Sequence, residues 1–294
     1  MILINKHTSF DKGRNMHKRK NIQDFIAMKQ AGEKITVLTA YDASIARLLH
    51  ACDVDILLVG DSLGMVVLGY DSTVPVTMDQ MIHHSSAVRR GAPEAFVVGD
   101  MPFGSYQSGP RDAIINAGRF LKEAGCDAVK LEGGLEVCET VTAMVRAGIS
   151  VMGHIGLTPQ TAMQLGGYKV QGRDTASARR LLHEAKGLAE AGAFAMVLEC
   201  VPAQLAEMIS GSVSVPTIGI GAGPQCDGQV LVTNDLLGMF EKFTPSFVKT
   251  YTNLAPIIKE SIAQFNREVR DGSFPDAAHS FSAQVDLKAI LKGG

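Results

Sequence analysis

Several features that would mark whole classes of protein are missing from this sequence of 294 residues. It has no tryptophan, and its five cysteines are scattered without a CxxC pair, which argues against a disulfide framework or a thiolate metal site. Its apolar runs fall far short of the roughly 20 residues that a membrane span needs. A formal net charge of −2 supplies no basic surface for nucleic acid or an anionic membrane. These absences favour a protein that works on small molecules.

The composition predicts one large folded domain with polar ends. Hydrophobic residues make up 46% of the chain, which is enough to bury a large core. The start of the chain carries the basic run His17-Lys-Arg-Lys20 and no signal-peptide apolar region. We therefore expect a disordered basic arm over residues 1–20, a catalytic domain over 21–281, a tail over 282–294 and a cytoplasmic location.

Apolar strands alternate with helices along the chain. The predicted strands lie at 35–40, 55–61, 96–100, 129–132, 151–154, 196–199, 216–220 and 247–251. Gly125, Gly148 and Gly192 each end a helix just before a strand, as in a repeated βα unit. Eight such units predict an α/β fold, the (β/α)8 TIM barrel, with a short helix at 21–30 that plugs one end. No GxGxxG in a first βα turn supports an open doubly wound sheet instead.

Ionisable residues stand at the ends of these strands. Asp61 and Asp100 each follow an apolar run, while Lys130 and Glu132 lie on one face of their strand, because successive strand residues alternate between faces. The carboxyl ends of barrel strands meet at one mouth, so we expect these side chains to converge. Three carboxylates around one lysine leave an excess of negative charge, which favours a Mg²⁺ site. Ion pairing with arginines at the barrel rim is the structural alternative.

A metal beside a lysine suits the removal of a proton next to a carbonyl group. Mg²⁺ that chelates a 2-oxo acid would polarise its carbonyl and stabilise the developing enolate. Glu199 is the candidate base, because the apolar strand before it would raise its pKa; pairing with a basic neighbour is its structural alternative. His154 orients the substrate, moves a proton or is a structural histidine.

Eight motifs, in order along the chain, resemble those of one enzyme family. They are Val59-Gly-Asp-Ser-Leu-Gly64, Gly69-Tyr-Asp-Ser-Thr-Val-Pro-Val-Thr77, Val88-Arg-Arg-Gly-Ala-Pro93, Val129-Lys-Leu-Glu-Gly-Gly134, Gly153-His-Ile-Gly-Leu-Thr-Pro-Gln160, Gly166-Gly-Tyr-Lys-Val-Gln-Gly-Arg173, Leu198-Glu-Cys-Val-Pro202 and Ile218-Gly-Ile-Gly-Ala-Gly223. Together they resemble the ketopantoate (3-methyl-2-oxobutanoate) hydroxymethyltransferase family, over about residues 21–281.

The resemblance implies a barrel of the phosphoenolpyruvate/pyruvate superfamily that transfers a hydroxymethyl group from 5,10-methylenetetrahydrofolate to 3-methyl-2-oxobutanoate, giving 2-dehydropantoate for pantothenate synthesis. It implies a Mg²⁺ ion in each subunit, held by Asp61 and Asp100 with Glu132 completing the shell, and Glu199 as the proton acceptor. The implied keto acid contacts are Asp61, Ser62, Asp100 and Lys130. Family members often form decamers, so a homo-oligomer is expected.

Other functions fit the same residues. A 2-oxo acid aldolase or lyase would use the metal without folate, and its Schiff-base form would use Lys130 as a nucleophile. A non-catalytic scaffold would have no reason to hold three acids around one pocket. The folate site is not located, because no aromatic cluster marks a surface on which a pterin would stack.

Overall fold

The computed structural model describes residues 19–164 and 166–282, and within them parallel strands close into an eight-stranded barrel. The strands are β1 Ile35–Thr39, β2 Ile56–Val59, β3 Phe96–Asp100, β4 Ala128–Lys130, β5 Val151–Gly156, β6 Ala195–Glu199, β7 Thr217–Ile220 and β8 Gly228–Leu231. Each strand pairs with the next along the chain, and β8 pairs with β1. The predicted barrel is confirmed.

The α-helices include one before the barrel and several between its strands. They are α1 Ile22–Ala31, α2 Ala43–Ala51, α3 Leu63–Val66, α4 Met78–Gly91, α5 Pro110–Lys122, α6 Cys138–Arg146, α7 Thr175–Glu190, α8 Ala203–Ser212, α9 Thr233–Leu236 and α10 Leu254–Asp271. The helix-ending glycines Gly125, Gly148 and Gly192 have φ angles of 72°, 85° and 98°, so each takes the left-handed conformation that the sequence predicts.

The described residues divide into two compact units. Residues 19–233 with 246–248 form the unit that contains the barrel, and residues 234–245 with 249–282 form a second unit that includes α10. Residues 1–18 of the predicted arm and 283–294 of the predicted tail lie outside the described residues. In the part of the chain that is described, no helix has both the length and the apolar character to cross a membrane.

The prediction of an eighth strand at 247–251 is wrong, because the barrel is closed by β8 at Gly228–Leu231. Its register pairs Ile35 with Gly228 and Leu38 with Leu231. Gln229 in this short strand is exposed and Leu231 is only partly buried, so the strand lacks the apolar run that marks the others. The residues between β7 and β8 form turns rather than a helix. The βα alternation that guided the prediction therefore stops at β7.

Successive strand residues face two different cores. In β2, Ile56 and Leu58 belong to the cluster inside the barrel, whereas Leu57 and Val59 belong to the cluster between the sheet and the surrounding helices. All four residues are buried, as expected for a parallel strand covered on both faces. This alternation explains why the strands read as continuous apolar runs rather than as an alternating pattern.

Helix α1 closes the N-terminal end of the barrel, as the sequence predicts. Phe25 is completely buried, and its ring centroid lies 4.9 Å from that of Phe96, the first residue of β3. The Nζ atom of Lys29 lies 2.7 Å from Oδ2 of Asp227, which also accepts a hydrogen bond from the Thr217 backbone N–H. The helix is thus held by an apolar plug and by an ion pair at the start of the neighbouring strands.

Replacing the plug should destabilise the barrel strongly. We expect Phe25→Ala to lower the free energy of unfolding by about 3–5 kcal/mol, because it leaves a cavity inside the barrel. Urea unfolding followed by circular dichroism measures the change. Leu48→Ala, at a position on α2 that is 63% exposed, is the control and should change stability by less than about 0.5 kcal/mol. Equal effects of the two substitutions would contradict the role of Phe25 as a plug.

Candidate active site

The polar side chains that the sequence singles out lie together at the carboxyl ends of the strands. Asp61 follows β2, Asp100 ends β3, Lys130 ends β4, His154 lies in β5 and Glu199 ends β6. The first four of these are buried, and so is Glu132 just beyond β4. Burying so many ionisable groups is unfavourable unless they are paired, and it is a common feature of functional sites.

The central ion pair follows from the register of β3 and β4. Asp100 and Lys130 are partners across the two strands, and Nζ of Lys130 lies 2.8 Å from Oδ1 of Asp100. Glu132 is on the same face, with Oε1 3.9 Å from Nζ, while the intervening Leu131 is buried in the outer core. Burial alone would lower the pKa of Lys130, but the neighbouring carboxylates outweigh it and raise this pKa, so Lys130 is an ammonium ion.

Asp61 and Asp100 are brought together by the pairing of β2 with β3. The Asp61 backbone N–H donates to Oδ2 of Asp100 over 3.2 Å. A Cβ at Gly60 would lie 2.9 Å from Oγ of Ser62, so the glycine leaves room for that side chain. Burial, opposed by Lys130 and reinforced by the Asp61 carboxylate, raises the pKa of Asp100 to about 7. The nearby positive charge of Lys130 therefore does not fully offset the burial of the Asp61–Asp100 pair.

Ser62 lies at the edge of this acidic pair. Its Oγ atom is 2.8 Å from the hydroxyl of Tyr41, which follows β1. The Ser62 side chain is therefore oriented by a neighbouring strand end, on the same mouth of the barrel as the acids. This position suits a hydroxyl that contacts a small polar ligand.

His154 bridges the lysine and the last acid. Its Nδ1 lies 3.1 Å from Nζ of Lys130, and its Nε2 lies 3.2 Å from Oε2 of Glu199, although without the alignment of a full hydrogen bond. Burial and the Lys130 charge hold the pKa of His154 well below its ordinary value, so the ring is neutral. Because the ammonium donates to Nδ1, the ring proton is on Nε2 and faces Glu199.

Glu199 combines burial with partial access from the mouth. Its side chain is 15% exposed. Burial raises the pKa of this carboxyl group to about 8, with Lys130 lowering it and Asp61 raising it by smaller amounts. A carboxyl group whose pKa lies close to neutrality can accept a proton from a weak carbon acid and release it again.

Two uncharged residues of the site escaped the sequence reasoning. Gln160 donates from Nε2 to Oδ2 of Asp61 over 2.9 Å, and the Tyr106 hydroxyl lies 2.7 Å from Oε1 of Gln160. Gln160 is the last residue of the family motif Gly153–Gln160, and membership of that motif is the one sequence feature that points to it. An amide or a phenol carries no charge that must be balanced, so neither residue type stands out in a sequence.

The acidic pair provides two of the ligands that a hard cation would need. In the described residues no group of three His, Cys, Asp or Glu side chains is arranged around a single ion position. Asp61 and Asp100 are in contact, however: Oδ1 of Asp100 pairs with Nζ of Lys130, and its Oδ2 accepts a hydrogen bond from the Asp61 backbone N–H. Oε1 of Glu132 lies 3.9 Å from Nζ of Lys130, and its Oε2 accepts a hydrogen bond from the Gln160 backbone N–H. The donor set fits Mg²⁺ bound by the two aspartates, with water or ligand oxygens completing its shell.

The fold and this site define a class of protein. A (β/α)8 barrel with acids, a lysine and a histidine at the carboxyl ends of its strands is an enzyme architecture for small molecules. A sequence model of the ketopantoate hydroxymethyltransferase family matches residues 19–277. The chain belongs to that family, and the prediction from its motifs is confirmed.

Curated relatives agree with this assignment over nearly their whole length. The 3-methyl-2-oxobutanoate hydroxymethyltransferase of Desulfotalea psychrophila is 65% identical over 275 residues, which cover 94% of this chain and 99% of the relative. The protein of the same name from Syntrophus aciditrophicus is 59% identical over 254 residues, which cover 86% and 93%.

Solved structures with the same fold are much more distant in sequence. The phosphoenolpyruvate phosphomutase of Streptomyces platensis subsp. rosaceus has a TM-score of 0.58 at 15% identity, covering 93% of this chain and 94% of that one. A 2,3-dimethylmalate lyase, described as a member of the PEP mutase/isocitrate lyase superfamily, has a TM-score of 0.55 at 16% identity, covering 92% and 93%. These similarities support the barrel fold.

The raised pKa of Glu199 predicts a loss of stability with rising pH. The folded protein binds the Glu199 proton more tightly than the unfolded chain does. The free-energy cost of ionising Glu199 in the folded state is therefore absent below the ordinary pKa of 4.5 and complete above about 8. Between about pH 5 and pH 8, the free energy of unfolding of metal-free wild type should fall more steeply than that of Glu199→Gln. The difference is expected to be a few kcal/mol, since one pKa unit is worth about 1.4 kcal/mol.

Urea titrations across this pH range measure the two slopes. Glu207→Gln, at an exposed position on α8, is the control and should follow the wild type. Parallel curves for wild type and Glu199→Gln would show that Glu199 has an ordinary pKa.

Proposed function

We propose that this protein transfers a hydroxymethyl group from 5,10-methylenetetrahydrofolate to 3-methyl-2-oxobutanoate and so forms 2-dehydropantoate. Family membership and the names of its relatives support the acceptor and the reaction type. The proposal rests mainly on a row of four side chains, Asp100, Lys130, His154 and Glu199. Neighbouring side chains in this row approach each other to 2.8, 3.1 and 3.2 Å between polar atoms. This row places a candidate base beside a fixed positive charge.

Asp61 and Asp100 would hold Mg²⁺, and Glu132 would complete its shell, directly or through water. The ion, when bound, would polarise the carbonyl of the 2-oxo acid. Both aspartates are buried and in contact, so they would bind with little rearrangement.

The remaining residues would bind the keto acid and move its proton. Glu199 would take the proton from C3 of 3-methyl-2-oxobutanoate, because its pKa of about 8 makes it basic enough near neutral pH. The Lys130 ammonium would offset the negative charge that then develops on the substrate, and Ser62 would donate a hydrogen bond to it. His154, whose Nε2 lies 3.2 Å from Oε2 of Glu199, would contact the base from the side of Lys130. The resulting carbon nucleophile would form a bond to the one-carbon unit of the folate. The two C–N bonds of that unit would break to leave tetrahydrofolate, and water would supply the hydroxyl oxygen of the product.

The charge of Lys130 favours this mechanism over a Schiff-base aldolase. A Schiff base needs a neutral amine, whereas the Asp100, Glu132 and Asp61 carboxylates raise the pKa of Lys130. Nζ of Lys130 also contacts Oδ1 of Asp100 and Nδ1 of His154. The lysine is therefore a binding group rather than a nucleophile.

Two further properties belong to the proposal. Ile258, Ile262, Phe265 and Val269 are exposed along one face of α10, a spacing that suits burial against another subunit and supports a homo-oligomer, expected to be a decamer. All five cysteines are free thiols, which fits the reducing cytoplasm.

The direct test of the function is product formation. Purified protein with Mg²⁺, 3-methyl-2-oxobutanoate and 5,10-methylenetetrahydrofolate should give 2-dehydropantoate, detected by mass spectrometry. Glu199→Gln should lower kcat by about 10²- to 10⁴-fold with KM for the keto acid nearly unchanged, because it removes only the proton acceptor. Glu207→Gln on exposed α8 surface should match the wild type. Full activity of Glu199→Gln would remove Glu199 as the base, and no product from wild type would reject the function.

A further inference from the structure

One buried side chain contacts the ends of three neighbouring strands. Gln160 lies in the loop after β5 and is 4% exposed. Its Nε2 donates to Oδ2 of Asp61, beyond β2, and to the carbonyl oxygen of Met101, beyond β3, over 2.9 Å in each case. Its backbone N–H donates to Oε2 of Glu132, beyond β4, over 3.0 Å.

The orientation of the Gln160 amide is fixed by its surroundings. Both partners of Nε2 are oxygens that only accept hydrogen bonds, so the NH₂ group must face them. On the other side, Oε1 lies 2.7 Å from the hydroxyl of Tyr106, which donates to it. A reversed amide would set its oxygen against the Asp61 carboxylate and the Met101 carbonyl oxygen.

Tyr106 connects this amide to the backbone of the acidic strand end. Its Oη accepts from the Glu132 N–H over 3.2 Å and is 3.0 Å from the Glu132 carbonyl oxygen. The Tyr106 side chain is almost fully buried. Glu132 is therefore held twice, at its carboxylate by the Gln160 N–H and at its backbone by Tyr106.

We propose that Gln160 is a positioning residue for the metal centre: held by Tyr106, it fixes the distance between the Asp61 and Glu132 carboxylates, which come from strands separated by β3. The proposal rests on the proposed function, in which Asp61 and Glu132 serve the metal. It explains how two acids on non-adjacent strands are held relative to each other, since one residue binds both. Buried groups that orient metal ligands in this way commonly change metal affinity when they are removed.

The test measures metal affinity in the full-length protein, with Mn²⁺ as the probe. Free Mn²⁺ gives an electron paramagnetic resonance signal that disappears on binding, so titration of EDTA-treated protein yields a Kd without any turnover. Gln160→Leu keeps the size of the side chain and the backbone N–H but loses the amide, and we expect its Kd to rise about 10- to 100-fold. Gln164→Leu, at an exposed position of the same loop, is the matched control and should keep the wild-type Kd.

A second variant guards against misfolding. Tyr106→Phe keeps the buried ring and removes only the hydroxyl that orients Gln160, so its Kd should rise in the same direction by a smaller factor, about 3- to 10-fold. Far-ultraviolet circular dichroism checks that each variant is folded. A rise in Kd in a folded variant supports positioning, whereas a merely structural residue would change stability without changing Kd.

The outcomes separate this proposal from the function on which it rests. If wild type binds Mn²⁺ and forms 2-dehydropantoate while folded Gln160→Leu or Tyr106→Phe keeps the wild-type Kd, the positioning role is wrong and the function stands. If wild type neither binds Mn²⁺ nor forms product, the proposed function fails, and the positioning role fails with it.

Discussion

The site depends on one buried ammonium ion that is surrounded by more negative charge than it can neutralise. Lys130 lies 2.8 Å from Asp100 and 3.9 Å from Glu132, and Asp61 contacts Asp100 from the next strand. Burial raises the pKa values of Asp100, Glu132 and Glu199, so the acids resist ionisation together. Apolar side chains of the same size at these positions would often give an equally or more stable protein. Under the proposed function, this arrangement would take up a cation and pass a proton to and from a ligand.

The barrel arranges these charged and polar side chains in a row across neighbouring strands. The register of β3 and β4 pairs Asp100 with Lys130, and His154 in β5 extends the row to Glu199 at the end of β6. Each contact joins neighbouring strands, so the order of groups follows the order of strands. Helices pack against the outer face of the sheet, and Phe25 fills the N-terminal end of the barrel. The polar groups of the site lie at the carboxyl ends of the strands.

Sequence reasoning succeeds where a residue must differ sharply from its surroundings. Asp61 and Asp100 stand out because a charge ends an apolar strand, and Lys130 and Glu132 share a face because strand side chains alternate. The same reasoning fails for β8, where exposed Gln229 hides a strand that is defined only by its pairing with β1. It also misses Gln160, an uncharged residue on a loop, whose importance arises from hydrogen bonds to strand ends far apart in sequence. Such long-range contacts have no local pattern.

Under the proposed function, this mouth removes the C3 proton of a 2-oxo acid with the help of a divalent ion. Proton NMR of 3-methyl-2-oxobutanoate in D₂O, with wild-type protein and either Mg²⁺ or EDTA but no folate, tests this step by itself. We expect the C3 proton signal to disappear with Mg²⁺ and to persist with EDTA. A signal that persists in Mg²⁺, or that disappears equally fast in EDTA, would contradict metal-assisted proton removal at this site.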